Sequence, residues 1–151
     1  MLPVVIDASV VCKWLLPEPG SADAHQLLTL MHKGALQARA PELVLAEVAN
    51  VLWKRTRGTS PSLSRADAKE ALAILQDSPL ELHSIHDLAA PALELAALIP
   101  CTVYDALYVT LALRDNGLLV SADQRLLTAC AQHGLGDYAA TVTEALACLS
   151  A

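Results

Sequence analysis

Residues 4–10 read VVIDASV, and the interpretation of that run decides the fold. Val4, Val5 and Ile6 are an unbroken β-branched stretch, the pattern of a short strand buried on both faces of a parallel sheet. The stretch stops at a carboxylate, Asp7, and apolar positions resume at Val10 and Val11. A strand that passes directly into a helix opens a β–α unit. In open α/β sheets, ligands bind outside the carboxyl ends of the strands, where Asp7 lies. An Asp at that position can equally cap the following helix. The choice depends on whether other acids occupy comparable places.

Working outward from this unit, strands are predicted over residues 2–6, 36–40, 80–85, 118–121 and 138–142. Helices are predicted over 8–16, halted by Pro17 and Pro19, and from Ser21 to a stop at Gly34. Pro41 opens a helix reaching Arg55, and further helices cover 65–76, 89–98, 102–115, 124–133 and 143–149. Asn116-Gly117 closes the sixth of these. Strands alternating with helices indicate one α/β domain over residues 1–151 around a mostly parallel sheet. The loop-like segment 56–64 does not divide it, because neither side is self-sufficient.

Hydrophobic residues make up 54% of the 151 and charged residues 17%, which excludes a disordered chain. Aromatics are 3%, so the core must be built from Leu, Val, Ile and Ala. Sixteen acids against ten Lys and Arg argue against a polyanion binder that relies on bulk charge. A nucleic-acid partner then needs a local basic patch, or metal ions that reverse the sign of an acidic pocket. Cys12, Cys101, Cys130 and Cys148 form no CxxC pair and read as small buried thiols. With no basic leader and no apolar run long enough to span a bilayer, the expectation is a soluble, cytoplasmic protein without membrane contact.

Four acids fall in places that demand an explanation. Asp7 and Asp123 lie at the carboxyl ends of two strands, and for each taken singly helix capping is the simpler reading. Asp105 enters a helix, TVYDALYVTLAL, that is apolar on nearly every face, where Thr102-x-x-Asp105 has the spacing of a capping box. Glu47 lies one turn from Leu43 and from Val51 in ELVLAEVANVL, with Asn50 extending its polar stripe. A carboxylate projecting from so apolar a surface is expected to face a polar pocket inside the fold. If the four converge, their repulsion calls for a neutralising cation. A carboxylate set without His or Cys favours Mg²⁺ or Mn²⁺ over zinc. Such a set is the equipment of phosphodiester cleavage.

The stretches VVIDASVVCKWLLPEP, PELVLAEVANVL, TVYDALYVTLAL and LLVSADQRLL, in this order and spacing, resemble the PIN-domain ribonucleases, and among them the VapC-type toxins of toxin–antitoxin pairs. The resemblance runs from about Val4 to Val142. It implies a three-layer α/β/α fold and a Mg²⁺- or Mn²⁺-dependent endoribonuclease. It places the family's catalytic and metal-binding acids on Asp7, Glu47, Asp105 and Asp123, and its supporting hydroxyls on Ser9 and Ser121. It also implies a homodimer, an RNA substrate and a cognate antitoxin that plugs the active site.

Lys13, Lys54, Arg55, Arg57, Arg114 and Arg125 are the candidates for phosphate contact, although each also fits an ordinary solvated helix-end cation. The five histidines show no metal-ligand spacing. Two other readings of the acids are a PIN-type nuclease of housekeeping RNA processing without an antitoxin, and a Mg²⁺-binding receiver-like signalling domain. The second needs paired acids after the first strand and a late-strand Lys, and this chain has neither. An inactive binding module is a further alternative, weakened by the presence of all four acids.

Overall fold

The structure, a computed structural model, describes residues 1–150. β1 (Pro3–Ile6) leads into α1 (Ala8–Leu15) and α2 (Ser21–His32), and β2 (Gln37–Pro41) into α3 (Leu43–Arg55) and α4 (Arg65–Gln76). β3 (Glu81–His83) precedes α5 (Ala89–Leu98) and α6 (Val103–Arg114). β4 (Leu118–Val120), α7 (Gln124–Gln132), β5 (Ala139–Ala140) and α8 (Val142–Leu149) complete the order.

The five strands pair in the order β3-β2-β1-β4-β5, and every pairing is parallel. The chain winds outward from β1 to β3, crosses back to β4 on the other side of β1, and ends at β5. Because crossovers are right-handed, reversing the winding direction moves the helices to the other face of the sheet. α1, α2, α3 and α4 pack on one another with α8 against α2, while α6 lies across β1, β2 and β4 and carries α5. The result is a three-layer α/β/α sandwich whose switch of direction falls between β1 and β4. At such a switch the loops at the strand ends diverge and leave a crevice.

The core is built from the residues that the composition favours. Val4, Val5 and Ile6 are fully buried, and so are residues 106–112 of α6, which is central because it is apolar all round. Among the described residues no single helix is long and apolar enough to cross a membrane. The apolar pair α5 and α6 is bent by 109°.

Several expectations need correcting. Pro41 ends β2, paired in register with His83, and does not open the next helix. It lacks an N–H, and the ladder bond passes to Glu42, whose N–H donates to the His83 carbonyl at 2.8 Å. The third strand has three residues and the fifth only two, the latter following a 3-10 turn at Gly136–Tyr138. Closure of α6 is divided between two residues. Asn116 takes the left-handed conformation (φ 49°), while Gly117 is needed for space, since a Cβ there would lie 2.5 Å from the Pro3 carbonyl oxygen. Cys12 and Cys130 are buried thiols as expected, but Cys148 is exposed on the final helix and Cys101 only partly covered.

Candidate active site

The crevice at the β1/β4 switch holds a cavity of about 280 Å³ whose wall includes Asp7, Ser9, Glu47, Asn50, Asp105 and Asp123. The four acids singled out from the sequence therefore face one space. A larger cavity of about 480 Å³ between α5 and α6 has mainly apolar walls and contains none of them.

Asp7 is 6% exposed, and its backbone N–H donates to the Val120 carbonyl (3.0 Å), fastening the tip of β1 to β4. It occupies the N-cap position of α1 but makes no side-chain capping bond. Its Oδ2 instead accepts from Ser9 Oγ (2.6 Å) and Ser121 Oγ (2.7 Å). Each hydroxyl donates once and still accepts. Ser9 Oγ accepts from the Ala122 N–H and Ser121 Oγ from the Asp123 N–H, both at 3.0 Å. The two serines thus connect the backbone after β4 to the carboxylate after β1, which fixes its orientation.

Asp123 does cap α7, its Oδ1 accepting from the Arg125 N–H (3.0 Å) and the Leu126 N–H (3.4 Å). The cap occupies one oxygen and leaves the other free among the described residues. At Asp105 only half of the expected capping box forms. Thr102 Oγ1 accepts from the Asp105 N–H (3.1 Å), but the reciprocal bond that Glu144 makes to Thr141 has no counterpart. The Asp105 carboxylate therefore plays no part in the cap.

Glu47 is half-buried on α3, and its Oε1 accepts from the hydroxyl of Tyr108 (2.7 Å), itself fully buried in α6. Tyr108, one turn beyond Asp105, is a site residue that the sequence reading missed. The signal was there: a phenol in an all-apolar central helix needs a partner. Ser9 and Ser121 were named through the family resemblance alone, and the link from Ser121 to Ser9 and Asp7 has no local signal, because it spans 112 to 114 residues.

Burial raises the pKa of Asp7, and the nearby Asp105 charge adds to that, while the serine hydroxyls oppose it. Glu47 is also raised, by burial first and then by Asp7 and Asp105, against the Tyr108 hydrogen bond. This repulsive set is at odds with an empty anionic pocket and matched to a cation. The donors facing the space are oxygen, as Mg²⁺ and Mn²⁺ prefer. Cys12 also lines the space, and burial, with Glu18 and Asp7, pushes its thiol up to about 11. Among the described residues no three His, Cys, Asp or Glu side chains converge closely enough to enclose an ion by themselves. An ion here would keep water in part of its shell, as Mg²⁺ commonly does.

The basic candidates separate by position. Glu18 holds Lys13 Nζ (3.4 Å) and Arg55 Nη2 (3.3 Å) together at the α1–α3 edge of the site. Arg114 stands at the opposite end of α6 from Asp105, bonded to Asp115 at 2.8 Å, and cannot serve the cavity.

The PIN domain family model matches residues 4–131. Ribonuclease VapC3 of Pyrobaculum aerophilum is 33% identical over 130 residues, covering 83% of this chain and 92% of the relative. The crystal structure of PAE2754 from the same organism superposes with a TM-score of 0.71 at 23% identity, covering 99% of this chain and 90% of that one. VapBC2 of Rickettsia felis, solved bound to a DNA fragment from its promoter, matches with a TM-score of 0.64 at 15% identity, over 93% of this chain and 98% of the other. A family match over most of the sequence, a relative one third identical and a common fold lead to one conclusion: this chain belongs to the PIN-domain family.

Proposed function

We propose that the protein is a Mg²⁺- or Mn²⁺-dependent endoribonuclease, a VapC-type toxin whose active site is the cavity at the β1/β4 switch. The observation that carries this reading is the gathering of Asp7, Glu47, Asp105 and Asp123 around one space, with Asp7 buried and aligned by two serines. The likeness to Ribonuclease VapC3 supports RNA as the substrate and an antitoxin as the partner.

In this reading the four carboxylates, too far apart to enclose an ion unaided, would hold it together with water in part of its shell. When bound, it supplies positive charge against the scissile phosphate and lowers the pKa of a water molecule. Asp7 is the fixed anchor, because Ser9 and Ser121 hold its carboxylate in one orientation. Tyr108 does the same for Glu47, its hydroxyl holding one oxygen of that carboxylate at the cavity wall. Asp105 and Asp123 supply the remaining charge from the first turns of α6 and α7. The acids also repel a bare phosphodiester, so the scissile phosphate enters the cavity only with a cation present.

Residues 1–151 act as one catalytic unit, and two copies associate in the cytoplasm. Of the helices that could form a dimer face, α2 exposes no large hydrophobic residue and α4 exposes Ile74. Leu93 (64%) and Leu98 (74%) on α5 are the better candidates for a shared apolar face. The test of the function is cleavage of RNA by the purified protein in Mg²⁺ or Mn²⁺ and its loss in EDTA. Undiminished cleavage in excess EDTA would overturn the metal-dependent mechanism.

A further inference from the structure

We infer that the exposed arc of α3 from Asn50 through Trp53 and Lys54 to Arg57 is a track for single-stranded RNA that leads into the acid cavity, with Trp53 as its base-stacking platform. This rests on the ribonuclease reading and adds to it the surface that holds the strand.

The first observation is charge. Between residues 50 and 69 lie five of the ten Lys and Arg of the chain and one of its sixteen acids. The remainder holds five cations against fifteen acids, so outside this stretch the protein repels a polyanion. The sequence called for a local basic patch if nucleic acid is the partner, and the fold supplies one beside the cavity.

The second observation is helical register. Asn50, Trp53, Lys54 and Arg57 follow one another at i, i+3, i+4 and i+7, which places them on one face of the helix and the turn beyond it. All four are exposed. Asn50 also lines the acid cavity, one turn from Glu47, so the face starts at the site and extends roughly 10 Å from it.

The third observation is Trp53 itself. It is 51% exposed, with the Arg57 guanidinium 4.9 Å from its ring centroid. Trp53 also lines a groove of about 260 Å³ between α3 and α4 that is walled partly by Arg65 and Lys69. An exposed indole with three cations around it offers a stacking surface for a base and donors for the phosphates beside it, the combination that binds single strands without sequence preference. An apolar peptide would fill the groove but leave the cations unmatched, so RNA is the better occupant.

The test uses the full-length protein in EDTA, so that the strand stays intact, and a labelled mixed-sequence RNA 12-mer at low salt. Trp14, the other tryptophan, is buried with its ring N–H bonded to the Ala24 carbonyl, so quenching of indole emission by RNA reports on Trp53. Wild type is expected to show quenching and Trp53→Phe to lose it while binding within a few fold of wild type. Trp53→Ala should bind about tenfold more weakly. The Lys54→Gln, Arg57→Gln double variant should also weaken binding and reduce the log–log salt slope by about 1.4, at 0.7 per phosphate contact on a single strand. Lys33→Gln, at the end of α2, controls for simple loss of charge. In Mg²⁺, Trp53→Ala should raise KM for RNA and leave kcat near wild type. Unchanged affinity and salt slope in these variants, with no quenching in wild type, would overturn the track and leave the arc to a protein partner. The parent reading is judged separately: binding on this arc with no cleavage by wild type in Mg²⁺ would sink the nuclease and keep the track.

Discussion

Replacing Asp105 by Asn and Thr102 by Ala, in separate proteins, separates two roles that the tetrapeptide Thr102-x-x-Asp105 combines. Thr102 Oγ1 accepts from the Asp105 N–H, and that bond survives when the Asp105 side chain loses its charge. Asp105→Asn therefore keeps the cap. It forfeits the favourable placement of an acid in the first turn, about 0.3–1 kcal/mol. It also removes the charge that raises Asp7 and Glu47, an effect of opposite sign. The net change in metal-free stability should be about 1 kcal/mol or less, or within roughly 3 °C in Tm for a chain of this size. Cleavage in Mg²⁺ should fall by about 100-fold or more, since even groups that only support a metal ligand cost 10–100-fold when lost. Thr102→Ala should show the reverse, losing about 1 kcal/mol of stability with the reaction retained. Thermal unfolding in EDTA gives the first quantity, and single-turnover cleavage of a labelled RNA the second. An Asp105→Asn protein that cleaves at the wild-type rate, or that loses more than about 3 kcal/mol of metal-free stability, would refute the reasoning.

Three further outcomes are expected. Ser121→Ala strips Asp7 of one donor and the Asp123 N–H of its acceptor inside a fully buried site. It should cost about 1–3 kcal/mol by urea unfolding and lower cleavage about 10–100-fold. Gly117→Ala drives a Cβ into the Pro3 carbonyl, separating β4 from β1 at the catalytic switch. A loss of about 1–3 kcal/mol is expected, and unaltered stability would show that the two strands can part without cost. Asp115 is held below its ordinary value by its hydrogen bond to Arg114 and then by Arg39, at 2.8 and 2.7 Å. A carboxylate lowered on folding stabilises above its unfolded value of 3.8, and that stabilisation is lost as pH falls through the folded value. The acid limb of stability below pH 3.8 should therefore be shallower in Asp115→Asn, which denaturation midpoints across that range will show.

The order of elements, the parallel sheet and the identity of the acids were all legible along the chain, because each has a local cause. An unbroken β-branched run marks a buried strand, an all-apolar helix marks the centre of the fold, and an acid at a strand's end is visible in its own neighbourhood. Boundaries were less legible where the cause was not local. Pro41 was assigned to a helix on propensity, but pairing with His83 keeps it in β2. Gly117 was taken as a turn residue, and it is required by the approach of Pro3, over a hundred residues away in sequence.

At the site, the sequence by itself determined which carboxylates were available, but the role of each was ambiguous, since a helix cap and a metal ligand use the same residue in the same place. Tertiary structure decided which of them cap, one acid at a time. Asp7 gives up the cap because two serines claim its oxygen, one two residues on and the other 114 residues away across the sheet. Asp123 keeps the cap on one oxygen while lining the cavity. Asp105 leaves the cap to Thr102. Glu47 is restrained by a tyrosine 61 residues away. Local propensity depends on neighbours along the chain, whereas a hydrogen bond to a side chain on another element exists only after the sheet has brought the two together.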